Sequence, residues 1–162
     1  MNKVKTTLDK LLLGVSASLL TAMVVLSMWQ VLARYVFNIS SPGTEETIRY
    51  LLIWFSLLSA AYVFGAKKHI AILFFKEKLG AGTQRMMEKI TDLLIIVLTA
   101  ALMVYGGVKI VLLTMSQTAA ATGISMAIVY AALPVSGLFI ILYTILNMKN
   151  HVEAGGEEVV KQ

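Results

Sequence analysis

Four charges crowd a short stretch between two apolar runs: Arg34, Glu45, Glu46 and Arg49 all fall within WQVLARYVFNISSPGTEETIRYLLIWF, residues 29–55. Two carboxylates and two guanidinium groups can pair with one another or recognise a charged partner through charge-assisted hydrogen bonds. Glu45 and Glu46 stand four and three residues before Arg49, so one helical turn can close a salt bridge by itself, a pair that adds little where it is exposed. Taken alone, this makes a self-satisfied helix end. Arg34 closes the preceding apolar run on the same side, which gathers two acids and two arginines where a partner chain could engage them. Gln30, one turn before Arg34, can hydrogen-bond across the same interface.

Other chemistry finds little support. His69 and His151 both flank apolar runs, so they cannot face each other across a membrane haem. The absence of cysteine removes disulfides and thiolate metal sites together. No nucleophile, metal cluster or cofactor motif stands out, so no catalytic residue and no cofactor are assigned and an enzyme is not expected. Asn38-Ile39-Ser40 has the form of a glycosylation acceptor, a tripeptide that also arises by chance.

The elements that must position these charges are membrane helices. Of 162 residues, 58% are hydrophobic and 14% charged, against about 25% charged in an ordinary soluble domain; the mean hydropathy is +0.80. Between Lys10 and Arg34 lie 23 uncharged residues. At about 1.5 Å per residue that run crosses a hydrocarbon core of about 30 Å as a helix. It is too long for the apolar region of a secretory signal, so it is expected to be a retained span. The fold expected is all-α with four spans, at residues 11–33, 44–66, 93–115 and 126–148, forming one membrane domain over residues 1–150. Thr44 is the expected N-cap of the second span, with both glutamates in its first turn. Pro134 falls inside the fourth, where neighbours or water can take up the freed carbonyl.

Between spans two and three, KKHIAILFFKEKLGAGTQRMMEKITD is too polar to cross and too apolar for a plain loop. Ile70, Leu73 and Phe74 keep helical spacing, and Met86, Met87 and Ile90 resume it past a Thr83 cap. Interfacial amphipathic helices are expected, with Phe74, Phe75, Met86 and Met87 towards membrane lipid and lysines towards water; a hairpin packed on itself is the alternative. If both termini face the cytoplasm, inside segments hold 11 Lys and Arg and outside segments hold three, Arg34, Arg49 and Lys109. The positive-inside rule favours that orientation. The net charge of +5 therefore reports orientation and not nucleic-acid binding. Residues 151–162, rich in Gly and Glu, are expected to be a flexible cytoplasmic tail.

The middles of all four spans lack Asp, Glu, Lys, Arg and His, so no proton relay or midplane carboxylate is available. Lys109 lies near the outer end of span three, where its stem can snorkel to the headgroups or meet a partner's carboxylate. Gly14, Ser18 and Ala22, like Ser56 and Ala60, repeat at four-residue spacing, which allows helices to approach closely. Trp29, Tyr35, Tyr50 and Trp54 read as an aromatic belt.

RYVFN, an EE pair, RYLLIWFSLLSAAYVFGAKKHI and GISMAIVYAALPVSG, in that order over residues 8–148, resemble the small membrane subunit, DctQ-like, of the tripartite ATP-independent periplasmic (TRAP) transporters. Family members often carry Trp-Ser before the EE pair, where this chain has Gly43-Thr44, and an Asp after the His, where it has Ala71, Ile72 and Leu73. The resemblance implies a bacterial inner-membrane subunit in a heterodimer with a large multi-span subunit. It also implies a periplasmic binding protein that delivers an organic acid, such as a C4-dicarboxylate or sialic acid, for sodium-driven uptake. The small subunit would then be a non-catalytic scaffold that helps receive the binding protein. A self-sufficient four-helix exporter working as a homodimer is the alternative, disfavoured because coupling to protons needs a titratable group within the spans.

Overall fold

The computed structural model describes the backbone of residues 2–65 and 81–159. Helix α1 spans Asn2–Tyr35 and α2 spans Pro42–Gly65. Helix α3 covers Ala81–Leu98 and runs through a π-helical segment, Thr99–Tyr105, into α4, Gly106–Thr114. Helix α5, Met126–Tyr130, leads into α6, Ala132–Val159. Four of these stretches are long and apolar enough to cross a bilayer: Val4–Tyr35, Pro42–Gly65, Ile90–Thr114 and Met126–Met148. The chain is thus all-α with four candidate spans, as expected.

Helix ends differ from the sequence expectation because polar residues cap and extend them. The first helix begins at Asn2, nine residues before the uncharged run. It stops where Asn38 takes a φ of 53°, in the left-handed region that Asn tolerates better than most residues. Val36 and Phe37 both donate to the Leu32 carbonyl there, closing its last turn. The second helix starts at Pro42 and not after Thr44. Ser41 takes the cap position: its carbonyl accepts from Thr44 and Glu45, its hydroxyl lies 2.6 Å from that of Thr44, and proline at the first helical position loses no bond.

Three further details bear on the expectations. Helix α3 begins at Ala81, before the expected Thr83 cap, and Met86, Met87 and Ile90 belong to it, in one rod continuous with span three. Phe74 and Phe75 lie outside the described residues. Pro134 lies inside the fourth span, as expected, and the break at Ala131 places it in the first turn of α6, where a missing N–H costs little. At the far end α6 carries helical backbone through residues 151–159, where coil was expected, since each residue added to an existing helix gains a hydrogen bond.

Span one packs on span two, two on four, and four on three. Span four is the hub, with 39% of its most apolar window buried against 11% for spans one and three. Three glycines mark its close crossings. A Cβ on Gly65 would come within 2.5 Å of the Tyr143 ring, one on Gly107 within 2.8 Å of Pro134 Cδ, and one on Gly137 within 2.9 Å of Met103 Cβ. The π segment adds a residue to span three beside this contact, and its widened turn is closed by Gly106 N–H donating to the Ala101 and Met103 carbonyls. The packed centre is Leu12, Leu58 and Tyr143, flanked by Leu8, Leu19, Trp54, Tyr62, Val135 and Phe139. By contrast Gly14, Ser18 and Ala22 face outwards, and nothing lies within 4 Å of a Cβ at Gly14, so among the described residues that small-residue row packs against no helix.

Gly65→Ala is expected to cost about 1–3 kcal/mol by forcing α2 from the Tyr143 ring. Gly14→Ala is expected to be near neutral. Thermal unfolding of the two purified variants in one detergent checks the contrast.

Candidate functional site

The even number of spans puts the α1–α2 linker and the loop between α4 and α5 at the same end of the bundle. Three of the six candidate contact residues, Glu45, Glu46 and Arg49, lie in the first two turns of α2. Glu45 pairs with Arg49 at 3.7 Å, with both side chains more than 60% exposed, so the expected salt bridge exists and is weak. Glu46, one residue on, points elsewhere. Its Oε2 accepts the N–H of Ala121 at 3.1 Å, the N–H of Thr122 at 2.8 Å and the Thr122 hydroxyl at 3.0 Å.

That carboxylate holds a turn which the sequence reading left unassigned. Ala119 N–H donates to the Ile124 carbonyl at 2.8 Å, Gly123 N–H to Ala119 at 3.0 Å and Met126 N–H to Gln117 at 2.9 Å. Thr118 and Ser125 form an antiparallel bridge, and Gly123 supplies the positive φ of 69° that the reversal requires. The turn leaves the N–H groups of Ala121 and Thr122 without backbone partners, and Glu46 takes both. Tyr50, a turn further along α2, adds a long contact from its hydroxyl to Met126 Sδ at 3.5 Å. Glu46 is therefore a tie between spans two, three and four, and not a partner of Arg49.

Arg34 lies apart from both glutamates in ion pairing, yet shares a cleft with one of them. Gln30, Arg34 and Tyr35 of α1, linker residues 38–42 and Glu45 line an open cavity of about 580 Å³. Gln30 is half-buried and Arg34 exposed. Lys109 also sits near this end, exposed, with its ammonium 4.9 Å from the centre of the Tyr105 ring one turn earlier, a cation–π contact within the helix. Met86 and Met87 are exposed on α3, away from the cleft end.

A second polar cluster, which the sequence reading missed, occupies the opposite end. Tyr143, fully buried, donates to Asp9 at 2.7 Å. Lys5 donates to the Asn147 side-chain oxygen at 3.0 Å, and the Asn147 amide donates to the Gly65 carbonyl at 3.1 Å. These bonds join α1, α2 and α6. The signal was available: Tyr143 and Asn147 lie four apart on one helix face, and Asp9 is the lone acid of a basic N-terminal segment.

Both clusters consist of hydrogen bonds that join helices to one another, directly or through a loop. Among the described residues, no group of three His, Cys, Asp or Glu could hold a metal.

A family model, Tripartite ATP-independent periplasmic transporters, DctQ component, matches residues 23–154. A Haemophilus influenzae protein provisionally named a TRAP transporter small permease protein is 28% identical over 123 residues, covering 76% of each chain. The Sialic acid TRAP transporter small permease protein SiaQ of Vibrio cholerae is 25% identical over 133 residues, covering 78% of this chain and 73% of its own length.

Glu46→Ala is expected to free the loop: amide exchange at Ala121 and Thr122 should speed several-fold, while Glu45→Ala leaves it unchanged. Hydrogen-exchange mass spectrometry on peptides spanning the loop reads the difference.

Proposed function

The chain belongs to the DctQ component family of the TRAP transporters, and we propose that it is the non-catalytic brace of such a transporter, carrying no solute itself. It pairs with the large multi-span membrane subunit as a heterodimer in the bacterial inner membrane, with both termini in the cytoplasm. The large subunit then moves the solute, driven by sodium. The solute is an organic acid delivered by a periplasmic binding protein, and the relatedness to a sialic acid small permease supports an acidic sugar or a C4-dicarboxylate.

One observation carries this reading: three hydroxyls of the packed interior are spent on their own helices, and that of Tyr143 is held by Asp9 at one end of the bundle. Thr114 donates to Ile110, Ser136 to Ala132 and Thr144 to Ile140, each to the carbonyl one turn back. Ser16 is the single buried side-chain oxygen without a partner among the described residues. A path for a charged solute needs several polar groups that replace its water, and among the described residues one serine oxygen does not make such a path. Their outward faces are large and apolar, including Val24, Val25, Leu94, Val97 and Leu102. Such faces suit lipid or the flank of another membrane protein.

The tie at Glu46 supports a docking role for the outer end, because it fastens the 115–125 loop to the first turns of α2. In this orientation that end faces the periplasm, where the binding protein arrives.

Proteoliposomes containing the chain alone are expected to show no uptake of an organic acid on a sodium gradient. Adding the large subunit and the binding protein restores uptake. Uptake by the chain alone would overturn the proposal. In the full system, Glu45→Lys with Glu46→Lys is expected to lower uptake severalfold while leaving assembly with the large subunit intact.

A further inference from the structure

Bracing and docking leave the polar lining of the cleft at the linker end without an assigned ligand. Arg34 lies in the last turn of α1, exposed on the cleft wall, with no ion pair or hydrogen bond among the described residues. The negative end of the helix dipole explains why a cation is held there, but not what the cation binds. Glu45 lines the same cleft. Its contact with Arg49 is long and exposed, so its carboxylate can accept further donors. Gln30, Asn38 and Ser41 add amide and hydroxyl groups to the lining. The volume, about 580 Å³, lies within the roughly 300–1,000 Å³ typical of small-molecule sites.

The depth of the cleft narrows the ligand. Tyr35 lines it, Trp29 and Phe37 neighbour its lining in the chain, and the three remain 76%, 53% and 57% exposed, with the Trp29 and Phe37 rings 6.4 Å apart. Amphipathic and aromatic side chains left open in this way settle at the headgroup level of a bilayer. A cation and an anion sharing one cleft at that level complement a zwitterion. On α2, Leu52, Ser56 and Val63 follow Glu45 by 7, 11 and 18 residues, and all four are exposed on one helix face. Arg49 shares that face one turn past Glu45, and beyond it Leu52, Val63 and a Ser56 bonded back to its own helix make a largely uncharged track along the span.

We propose that the cleft binds a glycerophospholipid with a primary-amine headgroup. The phosphodiester sits on the Arg34 guanidinium, whose planar fork suits two phosphate oxygens. The ammonium donates to Glu45, and an acyl chain follows Leu52 and Ser56. A trimethylammonium headgroup has no N–H to give Glu45, and a headgroup without an amine leaves the carboxylate facing a phosphate. A soluble phosphoester shares the polar chemistry but cannot use the track along the span.

The test is native mass spectrometry of the delipidated full-length chain in detergent, titrated with phosphatidylethanolamine, phosphatidylcholine, phosphatidylglycerol and soluble glycerophosphoethanolamine. Phosphatidylethanolamine is expected to bind about tenfold more tightly than phosphatidylcholine, the size of one charge-assisted contact. Arg34→Gln should weaken it by about the same factor. Arg34→Lys, which keeps the charge and loses the fork, should fall between, and reads the same contact if the glutamine variant fails to fold. Glu45→Gln should bring the two lipids level. Equal binding of the two lipids by the native chain, or no loss in either Arg34 variant, would overturn the proposal. Equally tight binding of the soluble headgroup would also overturn it, by assigning the cleft to a free phosphoester.

Discussion

Close approach of helix backbones is the constraint on which the rest of this structure depends. Inside a bilayer the lipid tails are as apolar as leucine, so burying one more apolar side chain brings helices together only weakly. Contact has to come from fit. Span four obtains that fit at Gly65 under the Tyr143 ring, Gly107 under Pro134 and Gly137 against Met103. The break at Ala131 and the π segment at Thr99–Tyr105 set the two helices so that glycine meets proline. A regular helix over the same stretch would turn Gly107 elsewhere.

Packing by fit leaves polar bonds free to work at the two ends. At one end, Glu46 gathers the 115–125 loop onto span two. At the other, Asp9, Lys5 and Asn147 fasten α1 and α2 to α6. Between those ends Thr114, Ser136 and Thr144 turn their hydroxyls back on their own helices, which leaves little to solvate an ion. A part fastened at both ends and dry between them is suited to holding a neighbour in place.

Much of the architecture was legible in the sequence, because twenty-residue apolar runs admit few readings in a membrane. Span positions, the Glu45–Arg49 pair and the gathering of Gln30, Arg34 and Glu45 near one another all follow from local spacing. What was not legible depends on partners distant in the chain. No local signal links Glu46 to Thr122, 76 residues away. Thr99–Tyr105 carries no proline to announce a π turn, and its cause lies on the facing helix. The row of Gly14, Ser18 and Ala22 follows the rule for close helix contact, yet here it faces outwards, since that rule names a competent surface and not its occupant. Thr44 looked like a cap because it precedes two glutamates, and Ser41 with Pro42 outcompetes it.

The dryness of the four-helix interior is the claim on which the bracing role stands. It can be measured directly because the chain contains no cysteine. Single cysteines replacing Ser136 or Thr144 in the assembled transporter would be exposed to a small charged thiol reagent while solute is being carried. The account predicts that both stay unmodified throughout turnover, as they do at rest. Modification that appears with solute and sodium, and is slowed by excess solute, would contradict it by revealing a watery path through these helices.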